Sequence, residues 1–173
     1  MRPIIQLCLV ILGTFMVQAA VVPHLSIMGV RPDVVLIVAA LFGFAYGPQA
    51  GGLAGFLGGL FSDLLTGSAV GVGLLSKSAV GFFAGMVQRT IFVQSVALPM
   101  LAIFIATWIH EFIYVGFLFL FGNTIPIKIL FLNIVLPSAI YNAICTPPVF
   151  FAVRRFLDFK QDATTVKITG IID

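Results

Sequence analysis

Five glycines, Gly43, Gly47, Gly51, Gly55 and Gly59, recur at intervals of four within apolar sequence, and Gly81 and Gly85 repeat the interval further on. In an α-helix, residues four apart stack on one face. The run therefore predicts a groove of small residues in which a second helix backbone can lie close. Twelve of the seventeen glycines fall between Gly43 and Gly85, so the demand for close approach is concentrated in one part of the chain. Such grooves suit a lipid environment, where van der Waals packing and interhelical hydrogen bonds replace the hydrophobic drive that operates in water.

The charges point to the same environment. No Asp, Glu, Lys or Arg lies between Arg2 and Arg31, between Asp33 and Asp63, or between Lys128 and Arg154. Hydrophobic residues make up 61% of the chain and charged residues 9%, against about a quarter charged in soluble domains. This is the composition of an integral membrane protein, and an apolar chain in lipid must satisfy its backbone internally as helix. The uncharged stretches and turn residues predict an all-α bundle of six transmembrane helices: Pro3 to Val22, Asp33 to Gly47, Gly51 to Leu65, Val72 to Val87, Val96 to Phe121, and Ile129 to Val153. The middle three reach only about 22 to 24 Å. They must recruit flanking residues, thin the bilayer, or lie shielded within the bundle. Residues 1–153 form the transmembrane domain on this reading, and 154–173 a short tail in which an interfacial helix or a strand can be drawn.

Basic residues favour the cytoplasmic side of a membrane. With the N-terminus inside, the inner connections carry Arg2, Arg89, Arg154, Arg155, Lys160 and Lys167, and the outer ones only Arg31 and Lys128. Both termini are then cytoplasmic. The formal charge of +3 is spread over loops and forms no basic patch, so no nucleic-acid partner is expected. The membrane lipids themselves are the expected surroundings.

Lys77 interrupts an apolar span, where a lysine costs about 2.5 to 3.5 kcal/mol at the helix centre. It needs a partner or water. Asp63 stands on the other arm of the same helical hairpin, and Glu111 lies at a similar depth in the fifth span; residue order alone does not choose between them. Around Glu111, Thr107 and Tyr114 recur at helical spacing, and the sixth span presents Ser138, Tyr141, Asn142 and Thr146. A polar seam between the last two helices follows. Arg31-Pro32-Asp33 reads as the outer cap of the second helix, with proline in the first turn and an acid at the positive end of the dipole. Tyr46-Gly47-Pro48 breaks the second helix from the third.

No arrangement here makes an active site. His110-Glu111-Phe112-Ile113-Tyr114 begins like a zinc-protease helix, but tyrosine stands where the second histidine is required. The glycines from Gly51 to Gly59 lack the lysine and hydroxyl of a phosphate loop. Catalytic residues, bound metal and cofactor are all expected to be absent.

Pro32-Asp33 before an apolar run, then Gly47, Gly55-Phe56, Gly59-Leu60, Asp63-Leu64-Leu65, Gly71, and Gly81 with Gly85 together resemble the family of the rod shape-determining protein MreD. The likeness covers roughly residues 20 to 90, and Gly55 to Leu65 is its most specific part. The resemblance implies a component of the bacterial cytoplasmic membrane that scaffolds or regulates cell elongation. Its implied partners are MreC, the MreB filament, and RodA with its penicillin-binding transpeptidase. That family is also similar in fold to the membrane substrate-binding subunits of energy-coupling-factor transporters. A rival expectation follows, in which the chain binds a solute or lipid with Arg31, Asp63 and Lys77 near the mouth of a cavity.

Overall fold

Thirteen residues from Val34 to Tyr46 are apolar on every side, and a helix without a polar face is stable only when surrounded. In the computed structural model this helix is the centre of the molecule. Residues 2–27, 29–66, 71–87, 97–122, 126 and 130–156 are described, and among them there are six α-helices and no strand. They are α1 (Arg2–Ala20), α2 (Val34–Tyr46), α3 (Pro48–Thr66), α4 (Val72–Met86), α5 (Ala97–Leu120) and α6 (Leu136–Phe156), the last preceded by a π-helical turn over Phe131–Val135. Every residue of α2 from Val34 to Phe44 is buried, and the helix touches each of the other five. A short predicted span is thereby explained: α2 is shielded by protein along its length.

Between α2 and α3 only one residue is non-helical. Gly47 adopts φ +93°, a left-handed value that glycine takes without steric cost, and Pro48 follows as the first residue of α3. Proline is tolerated there because the first helical N–H has no intrahelical partner. For that reason α3 starts three residues earlier than the predicted Gly51. The Ile27–Val30 turn before α2 is closed by reciprocal backbone hydrogen bonds of 3.0 and 2.9 Å, with Gly29 at φ +82°.

The α-helical part of the sixth element begins later than predicted. Pro137 supplies no N–H to the carbonyl four residues back, and the chain before it widens into the π turn, where the Leu136 amide bonds the Phe131 carbonyl. The α6 helix then runs past Val153, through Arg154 and Arg155, to Phe156. The rest of the expected tail lies outside the described residues, as do Arg89 and Lys128. Two segments, Ala97–Phe117 and Phe131–Arg155, are long and apolar enough to cross a membrane.

Candidate functional site

The glycine face is used within the molecule. A Cβ placed on Gly55 would collide with the Lys77 carbonyl, one on Gly51 with the Gly81 carbonyl, and one on Gly59 would lie 2.5 Å from Leu74 Cα. The same test on Gly43 meets Gly81 and Gly85, and on Gly85 it meets Gly47 and Pro48. Thus α2, α3 and α4 touch backbone to backbone, and Gly43, Gly47, Gly51, Gly55, Gly59, Gly81 and Gly85 all belong to that one seam. Its outer surfaces carry Leu53, Phe56, Phe61, Leu75, Phe82, Phe83 and Met86, all exposed.

Close packing of α4 carries Lys77 to the start of α2. Its Nζ lies 2.8 Å from Asp33 Oδ2, and the lysine side chain is only 6% exposed. The partner of Lys77 is therefore Asp33, where sequence reading offered Asp63 or Glu111. The reason is competition for Asp63: its Oδ2 accepts the Gly71 and Leu74 amides at 2.8 and 3.0 Å. Gly71, at the N-cap position of α4, has no side chain to cap with, so an aspartate from the preceding helix takes over that role and complements the dipole. Glu111 makes no hydrogen bond or ion pair among the described residues and is partly buried.

Asp33 is also more than a surface cap. Its Oδ1 accepts the Leu36 amide at 2.9 Å, as an N-cap residue does, while its own amide donates to Asn142 Oδ1 at 2.8 Å. Asn142 Nδ2 donates to Thr107 Oγ1 at 3.2 Å, and the Thr107 and Thr146 hydroxyls donate to carbonyls one turn back in their own helices. From α1, Gln18 Oε1 accepts the Val34 amide at 2.9 Å. One network thus joins α1, α2, α4, α5 and α6. Of the expected cap, Pro32 is buried, Asp33 is in the network, and Arg31 stays exposed.

Of the expected seam between α5 and α6, the Thr107–Asn142 bond forms. Tyr141 turns elsewhere and donates to the Leu25 carbonyl, and Tyr114 stacks beside His110 with ring centroids 6.0 Å apart. His110 is 7% exposed, and its Nδ1 has no hydrogen-bond partner among the described residues. Sequence reading missed Gln18 and the Asp33–Lys77 pair. A depth argument could have found the pair, since Asp33 opens α2 at the same end of the bundle at which the α3–α4 hairpin turns.

Residues 1–160 match the model of one protein family, described as rod shape-determining protein MreD. No curated protein and no solved structure matches the chain.

Proposed function

The chain belongs to the MreD family of rod shape-determining proteins, and from that membership we propose that it is a non-enzymatic membrane scaffold of the cell-elongation machinery. In this reading six helices cross the bacterial cytoplasmic membrane with both termini in the cytoplasm. The chain joins MreC, and RodA with its penicillin-binding transpeptidase, to the MreB filament. The family match over 160 residues carries the proposal. What supports a scaffold is the division of surfaces. The seam glycines, Asp63 and the Asp33–Lys77 pair face inward, where they fix the bundle, while aromatic and aliphatic side chains cover much of the outside. Partner helices would then dock on these outer faces, because the small-residue seam is already filled.

Copurification with MreC after mild detergent extraction tests this. Alanine at Phe56, Phe82, Phe83 or Phe112, each exposed, should lower MreC capture on at least one face while leaving the unfolding transition in place. Undiminished capture across all four would remove the proposed docking surfaces.

A further inference from the structure

A pocket of about 410 Å³ opens at the end of the bundle where α2 begins, lined by Gly29, Val30, Arg31, Asn133, Ile134 and Ser138. We propose that it binds the phosphate of an anionic membrane-lipid headgroup. The residues that line it include an arginine, an asparagine and a serine, whose side chains can all donate to an oxyanion, and no acidic residue is among them. Arginine matches phosphate geometry with two parallel N–H donors, which lysine cannot offer.

The positive charge here is not neutralised by the protein. Arg31 is exposed and makes no ion pair among the described residues. Asp33, two residues on, is already engaged by Lys77 and by the Leu36 amide. Ser138 is only 7% exposed, yet its hydroxyl makes no hydrogen bond among the described residues. The π turn contributes Asn133 and Ile134 to the lining; such turns often occur at functional sites. The N-terminus of α2 is not itself the anion site, because the amides of Asp33, Val34 and Leu36 already bond Asn142, Gln18 and Asp33.

The position favours a lipid over a dissolved anion. Arg31 lies between two long uncharged stretches, the place of a headgroup-level residue in a membrane chain. Leu25, Ile27, Leu132 and Ile134 on the neighbouring segments are all exposed and offer apolar surface to acyl chains. Assignment to the outer leaflet rests on the orientation proposed above; the site itself does not.

The full-length protein in phosphatidylcholine nanodiscs doped with phosphatidylglycerol, then released and weighed by native mass spectrometry, provides the test. Wild-type protein should retain phosphatidylglycerol. Arg31→Gln, at an exposed position, should reduce retention about tenfold or more, and Asn133→Ala should reduce it by a smaller factor. Arg155→Gln, at the far end of α6, should leave it unchanged. Millimolar inorganic phosphate should not displace the lipid. Retention unaffected by Arg31→Gln overturns the proposal, and so does an equal loss in Arg155→Gln, which would mean diffuse charge attraction. Displacement by inorganic phosphate would reject the lipid in favour of a soluble anion.

Discussion

The α2–α3–α4 half and the α5–α6 half of this bundle are held together by different means. In the first, glycines bring backbone against backbone, and a Cβ at any of several positions would strike a neighbouring main chain. In the second, contact is made by side chains: Trp108 packs edge-on to Phe131 at 4.9 Å between centroids, and Asn142 bonds Thr107. Backbone contact admits one residue type at each position. Side-chain contact admits many, because hydrophobic swaps that conserve volume cost little. That difference explains why the resemblance to MreD could be read over roughly residues 20 to 90 but not beyond, although the family match extends to residue 160.

The sharpest probe concerns the ion pair that the glycine packing positions. Asp33→Asn keeps an N-cap residue but strands Lys77, and Lys77→Met strands Asp33. Each should lose about 3 to 5 kcal/mol of stability, measured by unfolding in mixed detergent. The double variant should recover part of that loss, and purely additive losses would show that the pair is not coupled.

Next comes the seam itself. Gly81→Ala places a methyl against the Gly51 carbonyl and should cost about 1 to 3 kcal/mol through overpacking. A neutral result would mean that the helices can part freely, and the contrast between the halves would collapse. Asp63→Ala should cost about 1 kcal/mol, the value of a lost cap, by the same amount whether residue 77 is lysine or methionine. A strong dependence on residue 77 would restore Asp63 as its partner.

The smallest effect belongs to the other half. Among the described residues, nothing lies within 4 Å of a Cβ placed on Gly116 of α5. Gly116→Ala should therefore be neutral or stabilise by up to about 1 kcal/mol, since alanine is the better helix former. Clear destabilisation would show that α5 also relies on close backbone approach.

Much of the fold was legible because its signals are local. Gly47-Pro48 marks a break whatever surrounds it, and uncharged stretches reveal the helices by length. The π turn before Pro137 was not foreseen, and α3 starts three residues before the expected Gly51, since both depend on how the chain reroutes single hydrogen bonds. The candidate site was less legible. Asp33, Lys77, Thr107 and Asn142 were each visible as polar residues in apolar sequence, whereas Gln18 was missed, and the partners of all five come from separate helices.

By itself the sequence determined that this chain is helical, membrane-like in composition, and packed through glycine between residues 43 and 85. Those properties follow from residue type and spacing, which act within one or two helical turns. Only the tertiary structure decided that Asp63 caps α4 and that Lys77 reaches Asp33. Both acids lie near the same end of the bundle, and which one a lysine meets depends on which carboxylate the backbone amides have already engaged.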